Sequence, residues 1–285
     1  MAVLGSKKNK AELRELEMTV LQIQRRWGPK ALRRLEASTA GIEIPHIPTG
    51  FDKLDKALGI GGIPRSRITE ILGPITSGKT TIALKIIAYA QDRKDIAAYI
   101  DLSRTLDPDY AFRCGVDLRK LLIVQPDSGR EALAIANSLV SSRGLAAIVF
   151  DSVSSLLGET SSPQLMSEAL RQLTGPLADS ACALIFLTSL CFGGPCGISI
   201  PRGGPCVTDI TQGGPSSKDN YLSGFALSHY ASVRLLVGRE KWIKRYGDIT
   251  GYRAEVTVVK NKLAPAGKRV SVSITFNGTV KGNGT

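Results

Sequence analysis

Nowhere in the 285-residue chain does an apolar run approach the roughly 18 residues of a membrane-spanning helix, so no membrane protein is expected. The basic N-terminal segment MAVLGSKKNKAEL has neither the long apolar stretch nor the small-residue cleavage site of a secretory leader, and a cytoplasmic location follows. Cysteine is sparse and odd in number, with five residues at 114, 182, 191, 196 and 206, which argues against a disulfide framework and for reduced thiols. Cys182 lies in the apolar run CALIFL and reads as core; Cys191, Cys196 and Cys206 share a segment without a nearby histidine, so a zinc site lacks a fourth ligand.

Acidic residues are scarce relative to basic ones, 25 against 37, and the deficit is local. Residues 1–40 carry nine basic and four acidic groups, residues 238–285 carry ten and three, and the stretch between balances at eighteen of each. The formal charge of +12 therefore resides in the two ends, an arrangement suited to a polyanion and to salt-dependent binding.

What is present is more specific. Residues 73–81 read GPITSGKTT, a complete G-x-x-x-x-G-K-[ST] phosphate loop between an apolar run at 68–72 and a helix-like run at 82–91. Gly73 and Gly78 let the backbone curl so that successive N–H groups face a polyphosphate, Lys79 reaches its β and γ oxygens, and Thr80 ligates Mg²⁺. A second nucleotide feature is the strand Ile148-Val149-Phe150 ending in Asp151, placed to order water on Mg²⁺.

Helical spacing of Leu13, Leu16, Val20, Ile23 and Trp27 predicts an amphipathic helix over residues 11–27, stopped by Gly28-Pro29. Residues 42–58 read as a short strand, a turn and a short helix. Strands at 68–72, 97–101, 121–125, 145–151 and 182–188 then alternate with helices at 80–92, near 107–114, 129–142 and 164–179, which predicts parallel βαβ units. Three β-like runs beyond residue 230, SVRLLV, EVTVVK and VSVSITF, are expected to extend the sheet as antiparallel edge strands. The expected fold is thus α/β, a mostly parallel twisted sheet flanked by helices. Between the two regimes, residues 190–224 repeat Gly-Gly-Pro at 193, 203 and 213, three blocks of equal length that read as a tandemly duplicated loop.

The phosphate loop together with PTGFDKLDKALGIGGIPRSRITEILGP, LDPDYA, FDSVSSL, HYASVRL and VVKNKLAP resembles, in order and spacing, the bacterial RecA recombinase family from about residue 10 to residue 276. The resemblance implies a RecA-like ATP-binding core at 41–285 behind an N-terminal helical arm at 1–40 that docks on an adjacent protomer. It implies ATP and Mg²⁺ held by Gly73, Pro74, Ser77, Gly78, Lys79, Thr80 and Thr81, with Asp151 as the strand-end carboxylate on the metal and Asp107 and Tyr110 on the adenine. Lys260 and Lys262 would reach the γ-phosphate held by a neighbouring protomer, making the site a joint in a head-to-tail filament on single-stranded DNA. The first DNA-binding loop would follow Asp151 and the second would be 190–224. There Ile198, Ile200, Val207 and Ile210 are expected as apolar wedges between stretched bases, with Arg202 on a phosphate.

Four departures qualify the resemblance. Ser103 stands where the family has the glutamate that activates the attacking water, and Thr188-Ser189 stand where it has Asn-Gln, the glutamine sensing the γ-phosphate. The first DNA loop is shortened to about GETSSPQ at 158–164, and the chain is expected to lack the small C-terminal domain and acidic tail. Asp101 is the candidate substitute base, on the same strand face as Ser103 but about 6–7 Å farther back. Loss of a positioned base costs about 10² to 10⁴ in rate, whereas the loop contacts act on binding, so nucleotide binding should outlast hydrolysis. The leading reading is an ATP-bridged, DNA-binding recombination or repair protein with impaired turnover. The alternative is an ATP-binding adaptor of a repair polymerase or recombinase that does not itself bind DNA. A phosphate-loop kinase or transferase needs an acceptor pocket and a base, and neither is visible.

Overall fold

The computed structural model describes residues 2–29, 31–32, 44–92, 95–153, 163–190 and 226–276. The chain divides into two units at residues 43 and 44. The first holds helix α1 (Ala2–Trp27), which begins nine residues before the predicted start and ends at Gly28, whose φ of +89° and N–H bond to the Gln24 carbonyl close the last turn. Leu13, Leu16, Met18, Leu21 and Trp27 are exposed along it.

In the second unit, β1 (His46–Ile47) pairs with β2 (Ile63–Pro64) around α2 (Asp52–Leu58). The main sheet follows: β3 (Ile68–Pro74), α3 (Lys79–Asp92), β4 (Ile96–Asp101), α4 (Pro108–Arg113), β5 (Leu121–Val124), α5 (Gly129–Ser141), β6 (Leu145–Asp151), α6 (Pro163–Ala178), β7 (Ala183–Leu190), β8 (Val233–Arg245), β9 (Asp248–Asn261) and β10 (Arg269–Thr275). Its eight strands lie in the order β10-β9-β8-β3-β7-β6-β4-β5. From β8 to β5 all neighbours are parallel, while β9 and β10 are antiparallel additions. This corrects one expectation: β8 is an interior strand parallel to β3, and antiparallel pairing begins only at β9.

Central strands are apolar on both faces because helices cover both. In β6, Ala147 and Val149 face a core shared with Leu54 and Leu58 of α2 and Ile82, Ile86 and Ile87 of α3. Ile148 and Phe150 point the other way, to Ala132, Ala136 and Val140 of α5 and to Met166, Leu170, Leu173 and Leu177 of α6. These spacings of three and four residues are one helical stripe each. Phe150 stacks on Phe186 of β7 at 4.6 Å. The result fixes the carboxyl ends of β3, β4, β6 and β7 along one sheet edge, where open parallel sheets carry their ligand sites.

Candidate nucleotide site

The turn from β3 to α3 depends on two glycines for different reasons. A Cβ on Gly73 would stand 2.1 Å from the Val237 carbonyl oxygen of β8, so the neighbouring backbone leaves room only for hydrogen. Gly78 adopts φ +105°, a conformation costly for other residues, and packs against Tyr252 and Ile274. α3 starts at Lys79, so its first N–H groups and the positive end of its dipole face the loop.

Lys79 is 7% exposed, and its Nζ donates to the Gly73 and Pro74 carbonyls at 2.9 and 2.7 Å. Burial lowers its pKa to about 8, with Asp151 opposing the shift. At the end of β6, Asp151 Oδ2 accepts from the Tyr99 hydroxyl at 2.5 Å and from Thr80 Oγ1 at 3.4 Å. Burial pushes the Asp151 carboxyl above its usual range, partly offset by the Tyr99 hydrogen bond. Desolvation first, and then the Asp151 charge, push the Tyr99 phenol far up, so it stays a neutral donor. Thr81 Oγ1 and the Tyr110 hydroxyl share a 2.6 Å hydrogen bond.

The donor set fits Mg²⁺ with a polyphosphate: a carboxylate and a hydroxyl within one hydrogen bond of each other, hard oxygen ligands beside a cation and a helix N-terminus. Ser77 adds a second sign, because its buried Oγ has no hydrogen-bond partner and lies in the loop itself. The loop floors a cleft of about 420 Å³ whose far wall is Arg239, Trp242, Tyr252 and Phe276, with Tyr110 on the near side.

The remaining predicted residues fall elsewhere. Asp107 caps α4, accepting the Asp109 N–H at 2.9 Å, and lies 3.8 Å from Arg113. Asp101 is 1% exposed, and its two oxygens accept the Thr105 and Leu106 N–H groups at 3.1 and 3.0 Å, tying down the turn after β4. Ser103 sits exposed in that turn. Lys260 Nζ donates to the Ser228 and His229 carbonyls at 2.6 and 3.2 Å, and Lys262 Nζ lies 3.5 Å from the latter. Burial lowers the Lys260 pKa, followed by repulsion from Lys262 and Arg234, while Glu70 opposes. Ile198, Ile200, Arg202, Val207 and Ile210, and most of the shortened loop at 158–164, lie outside the described residues.

Sequence reasoning missed several groups. Glu70 of β3, 1% exposed, accepts from Arg234 Nε at 2.5 Å and from Thr188 Oγ1 at 2.8 Å, a buried ion pair beside Ser189. A lone glutamate in ITEIL and a lone arginine in SVRLLV were the available signal. Tyr99 had none, since any large apolar residue satisfies its strand pattern.

The phosphate loop, its buried lysine and the strand-end carboxylate one strand removed define an α/β protein of the phosphate-loop class. A family model described as the RecA N-terminal domain matches residues 14–281. The chain is 40% identical over 281 residues to Protein RecA of Brucella anthropi, covering 94% of this chain and 73% of that protein. It is 40% identical over 273 residues to Protein RecA of Blastochloris viridis (92% and 74%) and 37% identical over 293 residues to that of Symbiobacterium thermophilum (96% and 77%). The chain belongs to the RecA family.

Proposed function

We propose that this protein binds ATP with Mg²⁺ and assembles head to tail on single-stranded DNA in homologous recombination and repair, with hydrolysis much slower than binding would allow. Membership of the RecA family supports the general role. Among the described residues no helix is long and apolar enough to cross a membrane, in keeping with a cytoplasmic site of action. Lys79 and the loop N–H groups hold the phosphates, and Thr80 and Asp151 hold the metal. The metal, when bound, screens charge between the β- and γ-phosphates. Tyr110 and Asp107 flank the base. Lys260 and Lys262 serve a neighbouring protomer's γ-phosphate, and the exposed apolar face of α1 docks on an adjacent copy. Ile198, Ile200, Arg202, Val207 and Ile210 remain the proposed DNA contacts.

The observation that carries slow turnover is the state of Asp101. With both carboxylate oxygens accepting backbone N–H groups, it is committed to the turn and is a poor candidate for a base. Serine at 103 cannot replace one. The test is ATP turnover with and without single-stranded DNA for the natural chain and Ser103→Glu. The expected result is weak hydrolysis by the natural chain and an increase of about 10²-fold or more in the variant. Vigorous DNA-stimulated hydrolysis by the natural chain, abolished by Lys79→Ala, would overturn impaired turnover. Anisotropy of a labelled single-stranded oligonucleotide across a salt series tests the DNA half. Absence of binding at low salt replaces it with the adaptor reading, in which ATP only holds a complex with a recombinase or repair polymerase.

A further inference from the structure

The wall of the cleft opposite the phosphate loop is an aromatic cluster with one arginine: Arg239, Trp242, Tyr252 and Phe276. Trp242 of β8 and Tyr252 of β9 are direct partners across the hairpin and meet edge to face at 6.1 Å, with Phe276 at 6.4 and 6.3 Å from them. The ladder slips between Arg239 and Lys241, and with this irregularity Arg239 and Trp242, three residues apart, line one cleft. The Arg239 guanidinium lies 4.6 Å from the Trp242 ring centre and 5.5 Å from that of Tyr252. It also donates to the Thr76 carbonyl at 3.2 Å and to the Thr76 hydroxyl, at the tip of the phosphate loop. Trp242 and Phe276 are each 47% exposed.

We infer that Trp242, held by Arg239 and Tyr252, is the surface on which the purine base of the bound nucleotide stacks. The inference deepens the nucleotide reading and rests on it. An aromatic face left open beside a polar loop, in one cleft with that loop, suits a ligand that joins a flat π system to a polyphosphate. Arg239 serves both parts: its stack fixes the indole, and its charge lies at the loop that receives the phosphates. Trp242 thereby makes affinity depend on the base, while the loop makes it depend on the phosphates.

The experiment uses ATP and inorganic tripolyphosphate as paired probes on the full chain. ATP should change the tryptophan emission of the natural protein, and the change should vanish in Trp242→Phe, where only Trp27 remains. Trp242→Ala should bind ATP about 5- to 150-fold more weakly, with tripolyphosphate affinity within about twofold of the natural chain, and Trp242→Phe should recover most of the loss. Arg239→Gln should weaken both ligands, ATP more, and it keeps the question open to measurement if Trp242→Ala proves unstable. Equal weakening of both ligands by Trp242→Ala, or none of either, overturns the stacking role while leaving the nucleotide site intact. Failure of the natural chain to bind either ligand overturns the nucleotide reading and the inference with it.

Discussion

Removing the arginine from the buried pair Glu70–Arg234 should unfold the core far more readily than its single hydrogen bond suggests. Glu70 is 1% exposed and Arg234 13%, on adjacent strands β3 and β8 in the middle of the sheet, with Nε 2.5 Å from Oε2. In Arg234→Met the aliphatic stem is largely preserved and the charge lost, leaving Glu70 a buried carboxylate with Thr188 as its remaining described donor. Breaking such a pair typically costs about 3–5 kcal/mol, because the uncompensated charge keeps its desolvation penalty and loses its partner. For a domain of this size each kcal/mol lowers Tm by about 2–4 °C, so a fall of about 6–20 °C is expected. Glu70→Gln should cost less, about 1–3 kcal/mol, since Arg234 can still reach solvent. The double variant should be less damaged than the sum, with a coupling energy above about 2 kcal/mol in urea melts. Arg234→Met costing under about 1 kcal/mol, or additivity within about 0.5 kcal/mol, would refute the reasoning.

Gly73→Ala should destabilise the protein by about 1–3 kcal/mol or more in a thermal melt, because its Cβ would stand 2.1 Å from a backbone oxygen, whereas Gly238→Ala, with nothing within 4 Å, should be nearly neutral. Nucleotide affinity should be flat below about pH 8 and decline above it: burial lowers the Lys79 pKa to about 8 in the free protein and phosphates raise it in the complex, so binding above pH 8 must take up a proton. A roughly tenfold loss between pH 7 and pH 9 is expected by anisotropy with a fluorescent ATP analogue, and a flat profile would refute it. Tyr99→Phe removes the 2.5 Å donor to Asp151 and should cost about 1.5–3 kcal/mol near neutral pH. Asp151 already has a raised pKa that loss of the donor raises further, so this cost should shrink as pH falls and the carboxyl is protonated; a cost independent of pH would count against it.

What the sequence made legible was local, and what it hid was neighbourhood. The phosphate loop, α3 and the strands β3 to β7 could be placed to within a residue or two, because turn glycines and helical or continuous apolar patterns are properties of one segment, whereas β8 runs eight residues past the apolar run SVRLLV that announced it. Strand order could not. β6 and β7 lie between β3 and β4, and β8 joins β3 from the other side, but buried parallel strands read alike whichever neighbour they take. The same limit hid the aromatic wall: Trp242 meets Tyr252 only through the β8–β9 register, which no periodicity encodes. It also hid the second occupation of Asp101, whose backbone partners lie in the turn it stabilises.

On the proposed function, that last detail would put binding and turnover on different parts of the architecture. Lys79 and Thr80 open α3 and Asp151 ends β6, elements whose apolar side chains belong to the two cores. Position 103 instead occupies an exposed turn whose shape depends on Asp101 accepting two N–H groups. If Ser103→Glu accelerates hydrolysis without moving Tm or nucleotide affinity, the two tasks are separately encoded. A variant that gains turnover only by losing affinity would mean instead that the turn and the loop act as one unit.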